Sequence, residues 1–222
     1  MKVAVGLIFY DDLESLKRCL PTLDADTIYA IDGRFKGFNS PNLLSTDGSR
    51  KFLQSFENVN LIDAPDLEEI DKRNIYLKEC KEDFLFVVDS DHWIEGDWNS
   101  FREELDKKVN DENGYGYWFW INDLDRKSNH YQCLGFFRPN QIRYRYRHDW
   151  YEHAGKRIVP YSHNNRYTKL KTVKVFNDKS LRTTARKTSG DSWYKQSRKK
   201  ELRKTKQQMV VNKIKNLFSR KD

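Results

Sequence analysis

Short apolar runs alternate with amphipathic stretches along the first half of the chain. Val3 to Phe9 is continuously apolar and predicts a strand buried on both faces. Leu13, Leu16, Leu20 and Leu23 then recur at helical spacing, with Asp11 or Asp12 as the cap. Thr27 to Ile31 predicts a second strand, closing on Asp32-Gly33. A loop bearing Gly37, Asn39, Ser40 and Pro41 leads to Asp47-Gly48-Ser49, and Phe52, Leu53 and Phe56 mark a short helix. Val59 to Ile62 is a third strand. Asp66-x-x-Glu69 has the spacing of a capping box and opens a helix to about Cys80. Phe84 to Val88 is a fourth strand, running into Asp89-Ser90-Asp91. Four strand–helix alternations predict a parallel sheet with right-handed crossovers. No G-x-G-x-x-G follows the first strand, which argues against a pyridine-nucleotide Rossmann domain.

The texture changes after a helix capped by Asp97 and carried by Phe101, Leu105 and Val109. Tyr115 to Ile121, Tyr131 to Phe137, Ile142 to Tyr146 and Leu170 to Phe176 predict strands without intervening helices. The expectation is one domain over 1–178, with a nucleotide half (1–96) and a β-rich acceptor half (97–178). Beyond it, 179–222 has no Pro, and from Asp191 no Gly, and predicts a helix.

Charge is spread unevenly. The chain carries +8 overall, but from Lys179 onward 15 Lys and Arg face 3 Asp and Glu, a net +12 that leaves 1–178 at −4. An acidic body lacks the footprint that a phosphate backbone demands, so nucleic acid is not the expected partner. Leu202, Met209, Val210, Ile214, Leu217 and Phe218 fall near one face of the tail helix, and basic residues cover the rest. Such a helix either lies in the headgroup region of an anionic membrane or docks its stripe on protein. Three scattered cysteines and no secretory segment before the first strand give the expectation of a reducing, cytoplasmic setting, with the tail peripheral at the inner membrane face.

Asp89 and Asp91 end the fourth strand, where ligands of open α/β sheets bind. In extended backbone, side chains two apart point the same way, so the pair suits a hard divalent cation that in turn holds phosphates. The alternative is an ordinary capping Asp in a strand-to-helix loop.

Five stretches together resemble family 2 glycosyltransferases, of the two-layer α/β type called GT-A. Tyr10-Asp11-Asp12 with Leu16 and Cys19-Leu20 is similar to the family's opening Tyr-Asn-Glu and Leu/Cys-Leu helix. Ile31-Asp32-Gly33 and Ser45-Thr46-Asp47-Gly48-Ser49 are similar to its Asp and Ser-Thr-Asp-Gly-Thr element, here split by an insertion. Lys72-Arg73-Asn74 is similar to its Ala-Arg-Asn, and Asp89-Ser90-Asp91 to its Asp-x-Asp. Phe136 to Tyr144 followed by His148-Asp149 resembles Phe-Arg-Asn, Ile-Arg-Tyr and His-Glu of one branch. The resemblance covers about 1–160.

It implies an α/β GT-A fold and a divalent-metal-dependent, inverting transfer of a sugar from a UDP- or GDP-sugar to a glycan, lipid-linked or protein acceptor. Tyr10 would offer a face to the base, Asp32 would accept from a base ring N–H, and Arg73 would pair with the diphosphate. Asp91 would ligate Mn²⁺ or Mg²⁺, Asp89 the metal or the ribose, and His148 would be a third ligand, with His153 its rival. The stretch Arg143 to Trp150 alternates, which places the arginines on one face and Tyr144, Tyr146 and His148 on the other. Asp149 is the expected general base, with Asp123, Asp125 and Glu152 as rivals. Trp118, Trp120 and Trp150 serve either an acceptor sugar or the core. A HAD-type phosphatase, a nucleotidyltransferase and a non-catalytic basic adaptor are the competing classes. The first lacks Thr or Val where Trp93 stands, and the second lacks a glycine-rich loop after strand one. The third leaves Asp-x-Asp and His-Asp without a role.

Overall fold

The computed structural model describes residues 1–109, 116–145, 147–153, 156–158 and 167–181, with no description of the side chains of 147–151, 156–158, 167 and 168. The described residues belong to a compact unit, Met1–Thr183. The expected tail helix falls in Thr184–Asp222, outside the described residues.

The alternating half forms as its pattern requires. β1 (Val3–Phe9) is buried at every position, and β2 (Thr27–Asp32) at all but its first. β3 (Val59–Asp63) is the half-exposed edge, and β4 (Phe84–Asp89) is buried up to its last residue. They pair in parallel in the order β3-β2-β1-β4. Between them run α1 (Leu13–Cys19), extended by a 3-10 turn Leu20–Thr22, then α2 (Ser49–Leu53) and α3 (Glu69–Glu79). Gly6 lets α3 approach the sheet: a Cβ there would sit 2.8 Å from the Tyr76 ring.

Two expected caps differ. Asp12 occupies the N-cap position of α1, but its carboxylate accepts from Ser90 Oγ instead. The box at Asp66-x-x-Glu69 does not form. Arg34 grips the Asp66 carboxylate with Nε and Nη2, and α3 starts after Glu68. An ion pair with several hydrogen bonds outweighs one cap bond.

The second half adds β5 (His92–Gly96), α4 (Trp98–Asp106), β6 (Gly116–Asp123) and β7 (Ser128–Phe137). It continues with β8 (Ile142–Arg145), β9 (Arg147–His153), β10 (Lys156–Ile158) and β11 (Tyr167–Asn177). Asp97 caps α4 as expected, accepting from Asn99 N and Ser100 N. The helix ends at Asp106, short of Val109. β8–β10 form a small antiparallel sheet, and the main sheet runs β3-β2-β1-β4-β7-β6-β11-β5. The α/β class with a β-rich second half is therefore what the chain adopts.

β5 was not foreseen, and it shapes the sheet. It follows β4 after the turn Ser90-Asp91, yet it pairs with β11 at the far edge. Four strand spacings of about 4.8 Å lie between them along the sheet, while three Cα steps of about 3.8 Å join Asp89 to His92. Both hold only when the sheet curls. Aromatic packing fills the curve: Phe86 stacks on Phe119 at 4.2 Å, and Phe84 meets Phe101, Tyr117 and Phe137 edge to face. Much of the high aromatic content is core.

Candidate functional site

The register gathers the site at one edge of the sheet. Phe9 pairs with Asp32, Asp32 with Asp63, and Ile8 with Asp89, so β1 to β4 end together. β6 and β11 run parallel to one another and end at Asp123 and Asn177, which are paired. Asn177 also faces His92, and Asp178 N donates to Asp91 O at 3.2 Å. The curl thus brings the ends of β4 and β11 and the start of β5 to one place.

The split Asp and Ser-Thr-Asp-Gly-Ser elements rejoin in space. Asp32, with no exposed surface, accepts from Ser45 Oγ at 2.6 Å and from Ser45 N at 3.1 Å. Ser45 Oγ accepts from Asp11 N, Thr46 N donates to Asp11 Oδ1, and Asp47 Oδ2 accepts from Leu13 N. Asp11 adopts a positive φ of 48° in this tight junction. The insertion is a loop that leaves at Gly33 and returns at Ser45. Gly33, at φ 138°, passes so near the backbone of Pro65 that a Cβ would lie 2.7 Å from its nitrogen. Arg50, not singled out in the sequence, bridges Asp32 (2.6 Å) and Asp63 (2.7 Å).

Tyr10 lies against this loop. It is 3% exposed, its hydroxyl donates to Asn42 O and pairs with Ser40 Oγ, and Phe38 meets its ring edge-on. Burial raises its pKa. Lys72, fully buried, donates to Gly33 O and places its ammonium 4.3 Å from the Phe35 ring centroid. Desolvation pulls its pKa down to about 8, against the nearby charges of Asp32 and Asp66.

Asp89, Asp91 and His92 bring their ligand atoms within 4.8 Å of one another. A turn does this, not an extended strand: β4 stops at Asp89 and the chain folds back through Ser90-Asp91. Arg73 Nη2 holds Asp89 Oδ1 at 2.8 Å, Nε holds Glu69 at 2.9 Å, and Nη1 donates to Tyr76 Oη at 3.2 Å. Burial opposes the Arg73 charge, but Asp89, then Tyr76 and Glu69, more than restore it and lift its pKa well above the ordinary value. The guanidinium expected to meet a diphosphate is here engaged with Asp89.

His92 was missed by sequence reading, which looked downstream for an imidazole. Its Nδ1 accepts from Asp89 N at 3.2 Å, so the neutral ring carries its proton on Nε2 and orients the turn. Asp91 is 2% exposed. Asn177 Oδ1 is buried with no hydrogen-bond partner among the described residues. The Asp89 and Asp91 carboxylates and the His92 imidazole are a donor set that could hold a divalent cation, and carboxylate oxygens and imidazole nitrogen both occur as ligands of ions of the Mn²⁺ and Mg²⁺ class. Arg18, also missed, spans the end of β11: it binds Asp178 through Nη1 at 2.6 Å and lies 4.6 Å over the Trp93 ring. Nothing in the sequence spacing pointed to it.

His148 and Asp149 lie on β9, their side chains outside the described residues. The alternation expected to run on from Arg143 to Trp150 is interrupted. β8 stops at Arg145 and the chain reverses into β9, with Tyr144 paired to Tyr151. Turn geometry overrides period-two alternation here. Among the rivals, Glu152 accepts from Arg145 Nε and His153 Nε2 pairs with Gln141 Oε1. Asp125 accepts from Lys179 N, and Asp123 is buried at the gathered edge.

No protein-family model matches the chain, and no curated protein matches it. Among solved structures the chain is similar to S. aureus TarS 1-349, with TM-score 0.43, 15% identity, and coverage of 56% of this chain and 37% of that one. It is likewise similar to TarS 1-349 in complex with UDP-GlcNAc, with TM-score 0.44, 15% identity, and coverage of 58% and 36%. The match spans little more than a third of TarS 1-349.

Proposed function

We propose that the chain is a GT-A glycosyltransferase of the family 2 type, transferring a sugar from a UDP- or GDP-sugar with inversion. The observation that carries this reading is the convergence at one sheet edge. The rejoined Asp32–Ser45 element and the Asp89–Asp91 turn lie there together, in the chain order the motifs require.

In this reading Asp32, Ser45 and Arg50 form the base-recognising set, with Tyr10 beneath the inserted loop. Asp89 and Asp91 would hold the divalent cation, with His148 as the third ligand. The cation supplies neutralisation of charge on the departing nucleoside diphosphate. Arg73 fixes Asp89 and keeps a positive charge beside it. The acceptor hydroxyl oxygen bonds to the anomeric carbon as the carbon–oxygen bond to the diphosphate breaks. Asp149 takes the hydroxyl proton. The acceptor is a glycan, a lipid-linked sugar or a protein, and the basic tail brings the enzyme to an anionic membrane.

Incubation of the full chain with UDP- and GDP-sugars and Mn²⁺, reading nucleoside diphosphate release, is the test. Release from one sugar nucleotide, lost with EDTA, supports the reading. Release of inorganic phosphate or pyrophosphate instead would move it to phosphatase or nucleotidyl-transfer chemistry.

A further inference from the structure

One part of the β-rich half is built beyond what packing needs. Trp118 pairs with Lys169 and Trp120 with Lys174, so four residues of β11 (170–173) span what Phe119 alone spans on β6. Leu170 and Val173 anchor this bulge in the core, at 0% and 1% exposure. Glu104 of α4 accepts from Lys171 N, Thr172 N and Thr172 Oγ1, which satisfies the freed backbone. Gly96 of β5 makes room: a Cβ there would run into the Thr172 carbonyl.

Bulges and lysines commonly guard sheet edges. β11 is an interior strand, paired with β6 and β5, so edge protection does not account for them. The bulge instead frames an open hollow of about 280 Å³, lined by Trp120, Tyr131, Leu170, Lys171, Val173 and Lys174. Lys169 adds an ammonium 4.4 Å from the Tyr131 ring centroid. Among the described residues none that lines it is acidic, and Glu95, opposite Lys174 in register, accepts from the Trp93 indole.

We propose that this hollow is a binding site for one acidic sugar residue of a saccharide chain, separate from the donor site. Apolar C–H faces of a sugar ring pack on Trp120 and Tyr131, and Lys171 and Lys174 meet its carboxylate or phosphate. The size is just under the roughly 300 Å³ at which small-ligand pockets begin, which suits a single ring with its neighbours in solvent. Trp120 and Tyr131 meet edge to face, at 4.9 Å and 69°, and so leave no parallel slot for a nucleobase. The inference concerns binding alone and does not rest on the donor chemistry.

The test is calorimetry on the full chain, without metal or sugar nucleotide, using trigalacturonate, maltotriose and trithymidylate as probes. Trigalacturonate is expected to bind about tenfold or more tighter than the other two. The exposed-residue double variant Lys171→Gln/Lys174→Gln is expected to lose about tenfold for trigalacturonate and nothing for maltotriose. Trp120→Tyr, which keeps an aromatic face, is expected to retain binding that Trp120→Leu loses. The proposal is overturned by unchanged trigalacturonate affinity in the double variant, which would place binding on the basic tail. Equal or tighter binding of trithymidylate, or no binding of trigalacturonate by the wild-type chain, overturns it too.

Discussion

Lys72 offers a prediction whose sign and size follow from its burial. Its ammonium is enclosed between Gly33 O, the Phe35 ring and the core, and desolvation lowers its pKa from 10.5 to about 8. Between those values the unfolded chain holds a proton that the folded chain has shed. Stability therefore rises with pH across this window, and the full penalty of burying the charge is present below about 8. The difference is worth ~3 kcal/mol at one factor of ten per 1.4 kcal/mol. Lys72→Met keeps the length and removes the titration. At pH 7 its net effect is small, because relief of the buried charge is offset by loss of the bond to Gly33 O. By pH 10 the wild type gains about 2.5 kcal/mol relative to the variant. Urea unfolding of both proteins at pH 7, 8, 9 and 10 reads this as a difference, in which every other titrating group cancels. A stability difference that stays constant across the series would refute the argument, because Lys72 would then titrate alike in the folded and unfolded chains.

Arg73→Met leaves Glu69 and Asp89 without their shared partner. With Asp89 one-third exposed and able to rehydrate, the cost is about 2 kcal/mol, or a melting point ~4–8 °C lower; an unchanged melting point would contradict the pairing. His148→Ala is expected to weaken Mn²⁺-dependent donor affinity, whereas Asp149→Asn spares it and lowers turnover by about 10²-fold or more. A fully active Asp149→Asn enzyme would pass the base to Asp123, Asp125 or Glu152. For the tail, full-length protein is expected to co-sediment with phosphatidylglycerol vesicles in a salt-sensitive way, while a chain ending at Gly190 does not. No vesicle binding by either, with lower thermal stability in the shortened chain, would make the tail structural.

The alternating half was legible because three of its four strands, β1, β2 and β4, are buried nearly end to end and so announce themselves as apolar runs. Val3–Phe9 and Phe84–Asp89 are the clearest cases. β5 was not legible: His92-Trp93-Ile94-Glu95-Gly96 is short and mixed, and only the distant β11 makes it a strand. The Asp66 box failed for a similar reason, since the competing Arg34 lies far away in sequence. Local pattern also hid the reversal at the β8–β9 hairpin, where alternation continues across a change of direction. In the candidate site, the Asp-x-Asp and the two halves of the split element could be read from the sequence. What could not be read was the circuitry between elements. Arg73 on Asp89, Arg50 between Asp32 and Asp63, His92 beneath the turn and Arg18 on Asp178 are all set by tertiary placement.

The central claim is that the Asp89–Asp91 turn binds a nucleoside diphosphate through a divalent cation. Calorimetric titration of UDP and GDP into the full chain, with and without Mn²⁺, tests it most directly, with Asp91→Ala beside the wild type. The account predicts that Mn²⁺ tightens one of the two nucleotides by about tenfold or more in the wild type. It also predicts no such gain in Asp91→Ala, whose thermal unfolding stays cooperative. Equal nucleotide affinity with and without Mn²⁺ in the wild type, or an undiminished Mn²⁺ effect in Asp91→Ala, would contradict it.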